Sequence, residues 1–446
     1  FKKRFIRLMS LLLGRMSRIG WVLINIIFMV LGTYYPDFMT TVLVLATLTN
    51  FFLIICLKNI QPAMIMALFF LSYLLFLFPY YFLGYRMVVY TEYYEPALFD
   101  KALIIHSIFL NSFFLFLKPN INIQRFKLID LVPTRSNKYF FWGLAILLIF
   151  IVITMKGQSV VGDGENSYEA YMENLEGQGG ILEYFYLLFI VGFFFAVNNR
   201  HRKILMGIAI AYCLQCIVRG YRIQMVQMGL LTFLLFFDNY FKLWKIIGLC
   251  ILGVLISEVI SALKMTGGID YDTLVKGVDF AKEGEVLIVN QTDVFYSSVT
   301  FLGLIQDGIL DFWTRFYSML GFLLNWFVPS SFVWQEARLP SFSKNYTNLG
   351  GGGLVSLYIY VWFGYLGVVA LGYILAKGIN YTFKDRGKSI LKIVPIIIFS
   401  VYPRWFAYDP GNFLFRFSIY LLGLYFVLYE IVNYLKKDVE GESINS

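Results

Sequence analysis

Long apolar runs recur from one end of the chain to the other, and they limit its possible folds more than any other feature. Each run has about 17 to 25 residues, enough for an α-helix to cross about 30 Å of hydrocarbon. Of the 446 residues, 59% are hydrophobic and 15% are charged, a balance that a soluble domain of this size does not need. The fold class is therefore predicted to be all-α: a polytopic transmembrane helical bundle, with residues 1–446 forming a single transmembrane domain.

The runs predict about twelve membrane spans. Tyrosine and phenylalanine crowd the ends of the runs, as at Tyr34-Tyr35 and Tyr93-Tyr94, where an interfacial aromatic belt is expected. The predicted spans are 19–35, 38–57, 61–83, 98–117, 139–155, 182–198, 204–219, 223–240, 245–264, 351–376, 390–403 and 413–435.

Basic residues fall on every second connection between the predicted spans. The basic series begins at the N-terminus, includes Arg200, Arg202 and Lys203, and ends at Lys436 and Lys437, whereas the opposite connections are acidic or nearly neutral. By the positive-inside rule the basic face is cytoplasmic, so both termini are predicted to be cytoplasmic. The net charge of +9 then faces anionic lipid head groups of the membrane, and no nucleic-acid partner is needed to explain it.

The longest hydrophilic connection, residues 265–350, is predicted to be a large extracytoplasmic loop. It is too long to be a simple turn, so function is expected here. Two apolar stretches within it, Val294 to Ile309 and Phe312 to Val328, are interpreted as helices that lie on the membrane or dip into it without spanning it.

A few arginines break the charge pattern because they fall on the predicted outer face. Arg219 and Arg222 flank Gly220 and are expected to share a face of a helix or its end, while Arg315, Arg338 and Arg404 stand apart. Guanidinium groups bind phosphate oxygens in bidentate geometry, so the Arg219–Arg222 pair suits a pyrophosphate. The alternative is that outer arginines extend to lipid head groups or pair with neighbouring acidic residues.

The run Gly350 to Gly353 comes directly before a predicted span. Glycines at a helix start expose backbone N–H groups that can bind an anion, so Gly351 and Gly352 are candidate substrate-binding residues. The run lacks the lysine and the strand of a nucleotide-binding loop, and a flexible hinge is the alternative interpretation.

Taken together, these features resemble the O-antigen polymerase (Wzy-type) family. The resemblance covers the architecture of most of the chain. Its local motifs are the arginines of Arg219-Gly220-Tyr221-Arg222, the long outer loop late in the chain, and the glycine run with the aromatic span that ends Phe363-Gly364-Tyr365-Leu366-Gly367.

The resemblance implies a fold related to the C-type glycosyltransferases in a bacterial cytoplasmic (inner) membrane. It implies an enzyme that joins polyprenyl-pyrophosphate-linked oligosaccharide repeat units into a glycan outside the cytoplasm, with one lipid-linked unit as donor and another as acceptor. No metal, sugar nucleotide or other cofactor is required in that scheme. The partners are these lipid-linked substrates and membrane lipid, with room for a chain-length regulator protein.

In this scheme Arg219, Arg222 and Arg404 are the predicted catalytic residues, because they would stabilise the charge on the leaving pyrophosphate. Arg315 and Arg338 are predicted to bind substrate, while the general base is unassigned. O-antigen ligases share the architecture but have a histidine in the outer loop, and here the two histidines, His106 and His201, lie elsewhere. The ligase and a flippase for the same lipid-linked substrates remain the alternatives.

Overall fold

In a computed structural model, the described part of the protein is helical almost throughout. The structure describes residues 15–87, 92–118, 128–155, 184–236, 244–253, 256, 282–283, 286–287, 289–329, 332–347, 352–384, 387–408 and 410–444. The chain divides into two compact units, named here unit 1 and unit 2. Unit 1 consists of Phe1–Gln124, Phe280–Arg386 and Pro403–Asn412, and unit 2 of Arg125–Asp279, Gly387–Tyr402 and Phe413–Ser446.

The helices and strands follow one another in chain order. The first half contains α1 (Arg15–Tyr34), α2 (Met39–Leu57), α3 (Gln61–Leu75), α4 (Phe78–Leu83), α5 (Pro96–Phe116), α6 (Lys138–Thr154), α7 (Tyr184–Phe195), α8 (Asn199–Val218), α9 (Arg222–Phe236) and α10 (Trp244–Gly253). The second half contains β1 (Lys282–Glu283), β2 (Val286–Leu287), α11 (Asn290–Gln306), α12 (Phe312–Leu324), α13 (Leu339–Ser343), α14 (Val355–Lys384), α15 (Ile393–Ser400), α16 (Tyr402–Ala407) and α17 (Phe417–Ile444). Short 3₁₀-helices occupy Pro36–Phe38, Leu128–Leu131, Gln335–Ala337 and Ile390–Lys392, and a π-helix occupies Gly411–Arg416. Strands β1 and β2 pair in antiparallel orientation.

Among the residues that the structure describes, seven helices are long and apolar enough to cross a membrane, so the prediction of an all-α protein with several candidate membrane spans is confirmed. They are Met16–Tyr34, Pro36–Leu57, Gln61–Leu83, Pro96–Phe116, Asn199–Val218, Val355–Phe383 and Leu414–Leu435. The other five predicted spans correspond to shorter apolar helices, α6, α7, α9, α10 and Ile390–Ser400. Every predicted span therefore contains a helix, and the count of twelve crossings stays a prediction.

Helix α5 is the central helix of unit 1 and packs against α1, α2, α11 and α14. Gly372 of α14 allows the closest approach, because a Cβ there would lie 2.7 Å from the backbone nitrogen of Phe113. The two helices run parallel: Ser112 donates to the carbonyl of Val369 (2.6 Å), and the Asn380 side chain donates to the carbonyl of Phe116 (3.1 Å). Parallel neighbours cross a membrane in the same direction, as the alternating topology expects for these two spans.

The first apolar stretch of the long loop forms a buried helix. Helix α11 is covered by α3, α5 and α14 of unit 1, and all its residues from Val294 to Leu304 are buried. The prediction of a helix is confirmed, and protein encloses α11 on all sides from Val294 to Leu304. Its position relative to the membrane stays a prediction. The second stretch forms α12, which packs on α14 with one face and leaves another exposed.

Unit 2 contains α6 to α10, α15 and α17. Asparagine side chains begin two of its helices: Asn137 accepts from the backbone N–H groups of Tyr139 and Phe140, and Asn198 accepts from that of His201. Helix α8 packs against α6 and α9, and α15 packs against α9 and α17.

Candidate functional site

The arginine pair of unit 2 lies at a tight reversal between α8 and α9. Gly220 has a left-handed φ of 72° and ends α8. The N–H of Tyr221 donates to the carbonyl of Cys216 (2.7 Å), and the N–H of Gly220 donates to that of Ile217 (3.1 Å), the hydrogen-bond pattern of a Schellman C-cap. Arg219 is thus the C-cap of α8 and Arg222 the first residue of α9. They come from two helices, whereas the i, i+3 spacing alone suggests one helix face.

The Arg219 side chain has protein partners within unit 2. One terminal nitrogen donates to the side-chain oxygen of Gln215, one turn back on α8, and the other donates to the carbonyl of Met155 (2.8 Å) at the end of α6. The buried Nε has no hydrogen-bond partner among the residues that the structure describes. A cation at a helix C-terminus is favourable, so this arginine stabilises α8 as well as offering a donor. Arg222 is half-buried at the N-terminus of α9.

In unit 1 the structure brings together Gly352 and Arg404, two residues selected separately from the sequence. A Cβ on Gly352 would lie 2.6 Å from the carbonyl carbon of Tyr408, and closer still to the Cα and carbonyl oxygen of that residue. Only glycine allows this approach. The N–H of Tyr408 donates to the carbonyl of Arg404 (2.9 Å), and the guanidinium carbon of Arg404 lies 5.5 Å from the centre of the Tyr408 ring. The Tyr408 hydroxyl donates to the Asn290 side chain (2.7 Å) at the start of α11. We name these four residues the Arg404 cluster.

The backbone after the glycine run is engaged inside unit 1. The N–H of Leu354 donates to the hydroxyl of Ser298 (2.8 Å), and the N–H of Gly353 donates to the hydroxyl of Tyr358 (3.4 Å). A Cβ on Gly353 would lie 2.7 Å from the ring of Phe301. These two N–H groups are therefore satisfied by protein, and glycine is needed at this position for close packing. Gly351 lies outside the described residues.

Arg315 and Arg338 lie in the loop region of unit 1, and the structure gives each a local setting. The Nε of Arg315 donates to the carbonyl of Asp311 (3.3 Å), which caps α12. Hydrogen bonds from the hydroxyl and N–H of Thr314 hold the pKa of the Asp311 carboxyl below its usual value. Arg338 joins the 3₁₀ turn Gln335–Ala337 to α13, and its buried Nε has no hydrogen-bond partner among the described residues.

Sequence reasoning did not identify Tyr408 and Asn290 as neighbours of Arg404. Tyr408 follows Arg404 by four residues, which is a weak signal for contact on a helix, but Asn290 is distant in sequence and gives none. It also did not identify a polar cluster at the end of α11, where the Tyr93 hydroxyl donates to Asp307 (2.6 Å) and the Gln306 amide donates to Glu95 (3.1 Å). Burial and the Asp307 carboxylate raise the pKa of the Tyr93 hydroxyl.

Comparisons with known proteins identify no relative: no family model matches the chain, and no curated protein or solved structure is significantly similar to it.

Proposed function

We propose that this chain is a membrane glycosyltransferase that joins polyprenyl-pyrophosphate-linked oligosaccharide repeat units into a longer glycan, as O-antigen polymerases do. The observation that supports this most is the Arg404 cluster. A guanidinium is placed beside a glycine-dependent close approach, in a unit built from membrane-length helices. A partly desolvated guanidinium is a strong ligand for phosphate oxygens, and the substrates of such an enzyme carry a pyrophosphate within a membrane.

In the proposed reaction, a hydroxyl group of the acceptor sugar attacks the anomeric carbon of the donor sugar. A new carbon–oxygen bond forms, the bond from that carbon to the pyrophosphate breaks, and the polyprenyl pyrophosphate leaves with the electron pair. The hydroxyl proton passes to a base, for which we name no residue. Arginines contribute by stabilising the negative charge that grows on the leaving pyrophosphate. No step uses a nucleotide.

Each unit supplies its own candidate cations. In unit 2, Arg219 and Arg222 stand on either side of the Gly220 reversal, where the N-terminus of α9 adds partial positive charge. In unit 1, Arg404 is held by Tyr408. Arg315 and Arg338, also in unit 1, are proposed to contact the substrate with lesser effect, because Arg315 already donates to its own helix.

The ligase alternative depends on a histidine that can reach a substrate. His106 is 0% exposed within α5, and its Nδ1 lies 3.2 Å from the hydroxyl of Ser356. His201 stacks on the ring of Phe141 at 3.9 Å. Both histidines are packed into protein, which favours the polymerase over the ligase.

The flippase alternative gains support from one feature of α14. Gly364 interrupts this membrane-length helix with φ 63° and ψ −161°. Discontinuous membrane helices are common at the substrate sites of transporters. The two functions differ in their products: a flippase moves lipid-linked units across the membrane and leaves their length unchanged, whereas the proposed enzyme lengthens the glycan.

Alanine replacement of Arg219, Arg222 and Arg404, one at a time, tests the proposal in a host strain that lacks the gene. We expect long glycans to disappear while single repeat units still reach the outer face. Lys203→Ala is the control, because Lys203 is an exposed cation in α8 of unit 2. Long glycans at the normal level in all three arginine variants, with equal protein in the membrane, would contradict the proposal.

A further inference from the structure

Helix α12 carries two different apolar faces. Ser318, Gly321 and Phe322 are buried, and Gly321 is packed so closely that a Cβ would lie 2.5 Å from the carbonyl oxygen of Ala337. The opposite side exposes large apolar side chains at helical spacing: Trp313 (63% exposed), Phe316, Tyr317, Leu324 and, just past the helix, Phe327. We name these five residues the α12 outer face.

The buried face attaches α12 to a membrane-length helix. The indole N–H of Trp362 in α14 donates to the hydroxyl of Ser318 (3.0 Å), and the ring of Phe322 stacks on Trp362 with centroids 4.1 Å apart. The level of Trp362 along α14 therefore determines how deep α12 lies.

That level follows from helix geometry. The apolar stretch Val355–Phe383 has 29 residues, which is at most about 43 Å at ~1.5 Å per residue, because the interruption at Gly364 shortens it, against about 30 Å of hydrocarbon. If the excess is shared between its two ends, at most about 7 Å at the Val355 end lies among lipid head groups. Trp362 comes seven residues after Val355, about 10 Å along the helix and thus just inside the hydrocarbon boundary.

We propose that the α12 outer face is a membrane-docking surface, embedded in the leaflet that surrounds the Val355 end of α14, with lipid acyl chains as its occupant. An exposed stripe of tryptophan, phenylalanine, tyrosine and leucine is unfavourable in water and typical of the membrane interface. Helix α14, to which α12 is attached, also exposes large apolar side chains, Phe363 and Leu366. Asp311, the exposed N-cap of α12, comes two residues before Trp313 and lies on another side of the helix, so its carboxylate stays near the head groups.

Spin labels test this placement in lipid nanodiscs, with the full chain and its four native cysteines replaced. We expect nitroxides at Trp313→Cys and Tyr317→Cys to collide more often with oxygen, which concentrates in acyl chains, than with a water-soluble nickel chelate. Asp311→Cys is the matched control, because Asp311 is an exposed polar residue at the start of the same helix and lies on another side from Trp313 and Tyr317, so the order should reverse there. Higher collision rates with the nickel chelate at both Trp313→Cys and Tyr317→Cys would overturn the proposal.

A second measurement avoids cysteine replacement. Trp313 is one of eight tryptophans, so its emission is the difference in intensity between the native chain and Trp313→Phe. In nanodiscs, lipids with a nitroxide on the upper acyl chain should quench this difference. A difference that the nitroxide leaves unchanged would mean that Trp313 lies outside the lipid, and would also overturn the proposal. Neither measurement depends on catalysis, so both are separate from the test of the proposed function.

Discussion

Replacing Gly352 with alanine should disturb Arg404 without touching its side chain. The added Cβ would lie 2.6 Å from the carbonyl carbon of Tyr408, whereas ordinary contact begins at 3.4 Å. The two segments must therefore separate by at least 0.8 Å, the difference between these distances. The obstructing atoms belong to the backbone, so no rotamer change relieves the overlap.

The displacement has two expected consequences of different size. Overpacking of this kind costs about 1 to 3 kcal/mol of folding free energy. The Tyr408 N–H is bonded to the Arg404 backbone carbonyl, and the Tyr408 ring lies 5.5 Å from the Arg404 guanidinium carbon. A shift near 1 Å is therefore expected to move the guanidinium as well, and such misplacement lowers catalytic rates by up to about 100-fold. Activity should thus fall far more than the amount of folded protein.

The assay measures glycan chain length in a host strain lacking the gene, together with the melting temperature of the purified protein in detergent. Gly378→Ala is the matched control, because Gly378 is also in unit 1 and no atom lies within 4 Å of a Cβ there. An unchanged melting temperature in Gly352→Ala would refute the close packing. A lowered melting temperature with normal glycan length would refute the link between Arg404 and the proposed activity.

Three further predictions concern other parts of the chain. Gly220→Ala should destabilise the protein by about 1 to 2 kcal/mol, because Gly220 has a left-handed φ. Gly229→Ala is the control and should not destabilise it, because a Cβ at Gly229 meets no atom within 4 Å. Denaturant unfolding compares the free energies of unfolding of the two variants. Arg404→Lys keeps the positive charge but loses the bidentate geometry of the guanidinium. The rate of glycan elongation should therefore fall about 10- to 100-fold if Arg404 binds phosphate, and a normal rate would contradict that role. The pKa of Asp311 is lowered in the folded protein, so its contribution is complete at neutral pH and is lost as pH falls through the folded-state value. The melting temperature of the native chain should therefore drop more in acid than that of Asp311→Asn, which keeps a cap acceptor that does not titrate; parallel acid profiles would contradict this.

The sequence predicted the helices well because membrane helices carry their signal locally. Each membrane helix must form its backbone hydrogen bonds within one apolar run, so a run such as 96–116 can be predicted as a helix from its own residues. Helix α11 was harder, because its moderate polarity fits both a surface helix and one enclosed by protein. Only its contacts with α3, α5 and α14 distinguish the two.

The candidate site was predictable in parts and not as an arrangement. Gly352 and Arg404 stand out because glycine runs and outer arginines are unusual in an apolar chain. Their association depends on Tyr408 and Asn290. It could not be predicted, because packing between segments that are distant in the chain produces no periodic pattern in a single sequence. Likewise, Arg219 donates to the Gln215 side chain and to the Met155 carbonyl, and the second of these contacts depends on how α6 and α8 pack.

The central claim is that the chain lengthens glycans using lipid-linked repeat units alone. The direct measurement is to incubate the purified protein in nanodiscs with a polyprenyl-pyrophosphate-linked repeat unit, without nucleotide sugar, and to separate the products by size. The proposal predicts a ladder whose rungs differ by one repeat unit and which Arg222→Ala fails to produce. If the protein moves the lipid-linked units across a bilayer but only single units are recovered as products, the result would contradict the proposal and favour the flippase.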